Sequence, residues 1–218
     1  MPGSPTAEKK RAARILEILS AAYPRAGVHL DFRNAFQLLA ATILSAQCTD
    51  ERVNQVTPAL FARFPDAARL AEAEQAELEQ MVRSTGFYRN KAKSLLGMAR
   101  ALVDRFGGKV PETIEELVTI PGVGRKTANV LLGTCFGQPA IVVDTHVKRV
   151  TERLGLADAP DPDRVEAELR ALVPAARQTL FSWVIGEHGR QVCAARKPRC
   201  PDCPVRKLCP YPDKTESL

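Results

Sequence analysis

Cys193, Cys200, Cys203 and Cys209 follow the spacing C-x6-C-x2-C-x5-C. Four thiols within 17 residues, with Pro198, Pro201 and Pro204 among them, force this stretch into a compact loop around one centre. The stretch has few apolar residues to fold on, so the sequence predicts that something other than a core orders it. Three readings fit the spacing. A redox Cys-x-x-Cys pair uses Cys200 and Cys203 but leaves Cys193 and Cys209 unexplained. Four-cysteine zinc sites usually pair two short Cys-x2-Cys knuckles, and only one is present. An iron–sulfur cluster accepts ligands strung along one wrapping loop. The spacing leans towards iron–sulfur and leaves zinc open.

The neighbourhood of the cysteines is basic. Arg190, Arg196, Lys197, Arg199, Arg206 and Lys207 stand against Asp202 alone, in a chain whose formal net charge is +6. The stretch from Asp66 to Glu79 is acidic, with Arg69 as its one base. A polarised basic molecule suits a polyanionic partner. Arg196, Lys197 and Arg199, between the first two cysteines, are candidate phosphate contacts. No apolar run approaches the ~20 residues of a membrane span. Met1 to Arg14 is polar and basic with no apolar stretch behind it, so a cytoplasmic protein is expected. In that reducing compartment cysteines are ligands or buried thiols rather than disulfides. Cys48 and Cys135, on apolar helical stretches, are expected in the core.

Apolar residues recur with helical period almost throughout. Ala12, Ile15, Leu16 and Leu19 mark a first helix. Phe36, Leu39, Ala40 and Ile43 mark a second that runs into Leu44–Ser45–Ala46–Gln47. Val53, Val56, Leu60 and Phe64 mark a third, stopped at Pro65. An acidic helix is predicted from Ala73 to Val82. Ala92, Leu95, Leu96, Ala99, Leu102, Val103 and Phe106 trace one face of a long helix closed by Gly107–Gly108. Further helices are predicted at Glu112–Val118, Thr127–Phe136, Thr145–Leu154, Asp163–Val173 and Ala175–Glu187. Ile141 to Val143 is too short a β-branched run for a sheet, so the fold class is all-α. Trp183 and His146 are read as packing or hydrogen-bonding residues.

Between two of these helices lies Ile120–Pro121–Gly122–Val123–Gly124–Arg125–Lys126. Gly122 and Gly124 around Val123 permit a tight turn whose amides point outward and join the positive end of the next helix, an anion site. In a basic protein the fitting anion is a DNA phosphate, and Arg125 would reinforce it. Lys126 falls in the first turn, where a cation opposes the helix dipole. The plain reading is a phosphate contact; the sharper one is a nucleophilic amine. Asp144 bears on the choice. A helix of about 12 residues rises ~18 Å, and Gln138 to Val143, if extended, return about 20 Å. Asp144 then comes back level with Lys126, while also looking like the N-cap of the following helix. An amine and a carboxylate together suit proton transfer and covalent catalysis.

Leu44–Ser45–Ala46–Gln47, Thr85–Gly86–Phe87–Tyr88, Ile120 to Asn129, Val142–Val143–Asp144–Thr145–His146 and the cysteine tail occur in this order. Together they resemble the endonuclease III family, bifunctional DNA glycosylases and abasic-site lyases of the helix–hairpin–helix superfamily. The resemblance spans nearly the whole chain. It implies two helical domains with a DNA-binding cleft between them: a six-helix barrel over residues 28–138, and a domain of residues 1–27 with 139–218 that carries a [4Fe–4S] cluster on the four cysteines. It implies that Lys126 attacks C1′ of a flipped-out nucleotide and nicks the strand by β-elimination, with Asp144 assisting. Gln47 and Phe87 would fill the gap in the duplex, and Gly122, Val123, Gly124, Arg125 and Thr145 would contact DNA. The implied substrates are oxidised pyrimidines and abasic sites in double-stranded DNA, handled by a monomer. Phe87 stands where many relatives have an aliphatic residue, and Cys48 where a small or hydroxyl residue is usual. Both put fine substrate preference in question. The rivals are a monofunctional mismatch or adenine glycosylase, which generally lacks the lysine, and a non-catalytic helix–hairpin–helix module.

Overall fold

A computed structural model describes residues 4–216. Helix α1 (Pro5–Ala22) starts on a proline, whose missing amide has no helical partner at that position. There follow α2 (Ala35–Leu44), α3 (Asp50–Arg63), α4 (Ala67–Ala71) and α5 (Gln75–Met81). A 3₁₀ turn, Arg83–Thr85, leads into α6 (Tyr88–Phe106), then α7 (Ile114–Leu117) and α8 (Arg125–Cys135). The rest is α9 (Thr145–Arg153), α10 (Pro162–Leu172) and α11 (Gln178–Gln191), with short 3₁₀ turns near the cysteines. The described residues contain no strand, and Ala140 to Val143 form a buried, non-helical connection. Asn34, Thr49, Asp66, Thr113, Asp144 and Asp161 each cap a helix, the side-chain oxygen accepting from a first-turn amide. No helix is long and apolar enough to cross a membrane among the described residues.

The chain divides into two compact units: His29–Gly137, and the residues up to Val28 together with those from Gln138 onward. In the first, α6 is the axis on which α2, α4 and α5 pack. Its buried face is Lys91, Ala92, Leu95, Leu96, Met98, Ala99 and Leu102, each large apolar side chain contributing about 1.5–3 kcal/mol of burial. The Gly108 amide closes the helix on the Leu102 carbonyl at 2.8 Å. Val103, predicted on that face, is instead exposed. The predicted acidic helix is α5, which runs from Gln75 to Met81; the short α4 before it, which buries Ala67 and Leu70, was not predicted.

In the second unit, Ala12, Ile15, Leu16 and Leu19 of α1 share a core with Val147 and Val150 of α9 and Phe181, Val184 and Ile185 of α11. The cysteine loop lies on this core. Val205 is fully buried in it, and Cys193, Cys203 and Leu208 pack against it. The expectation that only a bound centre orders the tail is therefore too strong, because one apolar anchor, Val205, already pins it.

Candidate active site and metal centre

The hairpin between α7 and α8 needs glycine at one of its two positions. Gly122 has φ 80°, and a Cβ there would lie 2.9 Å from Ser94 Cβ on α6. Gly124 has φ −96° and ψ 175°, backbone open to any residue, with nothing within 4 Å of a Cβ. The two glycines are therefore not equivalent, contrary to the sequence reading. Nor do all the turn's amides point outward: that of Val123 donates to the Ile120 carbonyl at 3.0 Å, and the Val123 side chain is buried. What remains open is the start of α8. Gly124 is its N-cap and supplies no side chain to cap it. Lys126, the second residue of the helix, is exposed at this positive end.

Two other turns of the same unit carry unusual backbone. Gln47, after α2, has φ 51°, and Phe87, before α6, has φ 47°. Both are left-handed conformations that a residue other than glycine seldom adopts. Phe87 is 64% exposed, the most exposed of the large apolar side chains among the described residues. Beside it Arg83 and Arg89 lie over the Tyr88 ring at 6.0 and 5.6 Å. Cys48 lies in the turn after Gln47 rather than in α2, and both it and Cys135 at the end of α8 are half-buried. Neither is a core residue as expected. The apolar helix ends at Leu44, so the register that would bury Cys48 is lost.

Asp144 is the N-cap of α9. Its Oδ1 accepts from the Val147 amide at 2.7 Å, and its Oδ2 faces Arg190 Nη2 at 3.7 Å. Arg190 also pairs with Glu187 at 3.4 Å. The carboxylate is held at both oxygens, with Thr145 exposed beside it. Sequence reasoning counted Arg190 only as part of a basic run. Its spacing from Glu187 on α11 was the available signal, and nothing in the sequence joined it to Asp144.

The four cysteines line one cavity of about 400 Å³, including its open mouth, together with His188 and Arg153. Burial pushes the Cys203 thiol up to about 11, and the neighbouring thiols of Cys193, Cys209 and Cys200 push the same way. Four thiols around one cavity are the donor set of a thiolate-bound metal centre, whose cation offsets their mutual repulsion. The sulfurs are also contacted by nitrogen. Arg153 Nη1 lies 3.4 Å from Cys193 Sγ, and His188 Nε2 lies 3.5 Å from Cys203 Sγ. His188 is almost fully buried, which pushes it down to about 4 and keeps it neutral. The Tyr23 hydroxyl lies 2.9 Å from its Nδ1. With the hydroxyl donating to Nδ1, Nε2–H is free to donate to a ligating thiolate. Tyr23, Arg153 and His188 lie far from the cysteine motif in sequence or carry no motif of their own.

Arg196 and Lys197 are exposed on the loop between the first two cysteines, Lys197 with φ 50°. Arg199 is already engaged, donating to the Gln191 carbonyl at 2.7 Å. A separate hollow lined by Leu30, Phe32, Gln37, Pro58 and Phe61 gathers none of these residues.

A hairpin that opens a helix N-terminus beside an exposed lysine, with left-handed turns presenting Gln47 and Phe87, defines a helix–hairpin–helix protein of the DNA-handling kind. Residues 40–175 match the family model of HhH-GPD superfamily base excision DNA repair proteins, and the chain belongs to that family. It is 55% identical over 204 residues to endonuclease III of Synechocystis sp., covering 93% of each chain. A solved non-covalent endonuclease III–DNA complex matches with a TM-score of 0.88 at 42% identity, over 93% of this chain and 95% of that one. A trapped covalent endonuclease III–DNA intermediate, an estranged-adenine complex, matches with a TM-score of 0.88 at 41% identity, over 93% and 96%.

Proposed function

We propose that the protein is a base excision repair glycosylase with abasic-site lyase activity, acting on oxidised pyrimidines in double-stranded DNA. The observation that carries this is Lys126, an exposed amine at the uncapped start of α8, in a chain similar to a protein trapped covalently on DNA. Lys126 Nζ, as the free amine, attacks C1′ of the extruded nucleotide. The C1′–N bond breaks and the base leaves with a proton; the C1′–O4′ bond then opens, O4′ taking a proton, and an iminium forms between lysine and sugar. Loss of a C2′ proton then breaks the C3′–O bond and nicks the strand on the 3′ side. Asp144 accepts the lysine proton and offsets positive charge on the sugar, its carboxylate oriented by the Val147 amide and Arg190. Gln47 and Phe87 occupy the gap left by the extruded nucleotide. Gly122, Gly124, Arg125 and Thr145 grip the phosphates beside it, as do Arg196 and Lys197, while the buried Val123 only shapes the turn.

Cys193, Cys200, Cys203 and Cys209 would hold a [4Fe–4S] cluster, which supplies fixed crosslinks for the loop that presents Arg196 and Lys197. Borohydride reduction on abasic DNA tests the lyase. A covalent adduct is expected from the wild type and none from Lys126→Ala; a wild type that binds but gives no adduct removes the assignment. Iron analysis with an absorption band near ~400 nm tests the cluster. A colourless protein with one zinc per chain removes it.

A further inference from the structure

Lys91 is the one lysine or arginine among the described residues that is buried, at 4% exposure. Burial holds its ammonium below the usual lysine range, with Cys48 opposing that shift. An apolar side chain of similar length would fill the site without this cost, so the charge needs a reason. Its Nζ donates to the carbonyl of Thr85 at 2.6 Å. Thr85 ends the 3₁₀ turn, where a carbonyl has no helical partner and attracts a cation. The Lys91 amide donates to the carbonyl of Phe87 at 3.1 Å. Side chain and backbone of one residue thus hold both sides of the turn in which Gly86 and Phe87 have positive φ. The turn of Gln47 is its neighbour, because α2 packs on α6 and α3 on the 3₁₀ turn.

We propose that Lys91 is a positioning residue for base extrusion: its buried ammonium locks the Arg83–Phe87 turn in the left-handed form that drives Phe87, beside Gln47, into the duplex. The inference rests on the reading of Phe87 as the inserted side chain. A wedge must resist being pushed back by the base stack. A charged hydrogen bond in a dry site provides that resistance, because breaking it strands both an ammonium and a carbonyl.

The test uses the Lys126→Gln protein, whose amide is no nucleophile and which should bind without cutting, and a duplex with 2-aminopurine beside a single oxidised pyrimidine. Fluorescence on binding reads extrusion. Phe87→Ala and Lys91→Met should each lower the extruded fraction about tenfold, the size expected for losing one charge-assisted hydrogen bond. Adding Lys91→Met to Phe87→Ala should cause no further loss. Lys91→Gln keeps a donor for the Thr85 carbonyl and should restore part of the signal. It also serves if Lys91→Met does not fold. A Lys91→Met or Lys91→Gln protein that extrudes like its Lys126→Gln parent overturns the proposal. So does a Lys91→Met loss that persists undiminished in the Phe87→Ala background, because that marks a general packing defect. If Phe87→Ala itself extrudes normally, the wedge reading fails and the proposal falls with it, an outcome separate from failure at Lys91 alone.

Discussion

Gly122 and Gly124 flank one buried valine yet face opposite demands. At Gly122 a methyl group would meet Ser94 and the backbone would remain in the left-handed region. Gly122→Ala should destabilise the protein by about 1–3 kcal/mol, read by urea unfolding. Gly124→Ala should leave stability within about 0.5 kcal/mol, because its backbone is ordinary and its surroundings are open. Its effect should show in DNA affinity, where the added methyl crowds the open helix end. Equal losses of stability at both positions would contradict the geometry. Asp144 separates structure from chemistry in the same way. Asparagine caps a helix about as well as aspartate, so Asp144→Asn should unfold within about 1 kcal/mol of wild type while losing on the order of 10²–10⁴ in base excision rate. A large stability loss would mean that the Arg190 pair matters more than the cap.

At the scale of elements, periodicity made most helices legible, and the Gly107–Gly108 stop of α6 follows its last apolar turn. The caps at Asn34, Thr49 and Asp161 fix starts that periodicity alone leaves loose. What sequence could not resolve was where a helix bends towards a core it cannot see. Hence the unpredicted α4, the early end of α2 before Cys48, and the exposed Val103. In the candidate site, residues with local motifs were legible: Lys126, Asp144 and the cysteines. Those defined by contacts distant in sequence were not. His188 reaches Cys203 and Tyr23, and Lys91 reaches Thr85, through packing alone. The cysteine loop gives the element-scale prediction. Removing Arg196 and Lys197 together should flatten the slope of log affinity against log salt by about 1.8, near 0.9 for each lost phosphate contact. Arg199→Ala should instead loosen the loop, because its guanidinium holds the Gln191 carbonyl. An unchanged slope in the double variant would make the loop's role purely structural.

For the whole molecule, the chain forms two compact units, and only one carries Cys193, Cys200, Cys203 and Cys209. Oxidative loss of the proposed cluster should raise amide hydrogen exchange across residues 193–209 and at Tyr23, while α2 and α6 keep their protection. Loss of protection across both units together would mean that they unfold as one. The unit with the cysteines is also assembled from the two ends of the chain. The apolar face of α1, with Ile15, Leu16 and Leu19, finds its partners on α11, some 150 residues later. At ribosomal rates of about 5–20 residues per second, that face waits on the order of 10–30 s for α11 to emerge. The intervening unit of residues 29–137 completes its own core in the meantime. Newly made α1 is therefore the segment for which nascent-chain chaperones have the longest opportunity, and its sticky face, rather than the barrel, sets how cleanly the protein matures.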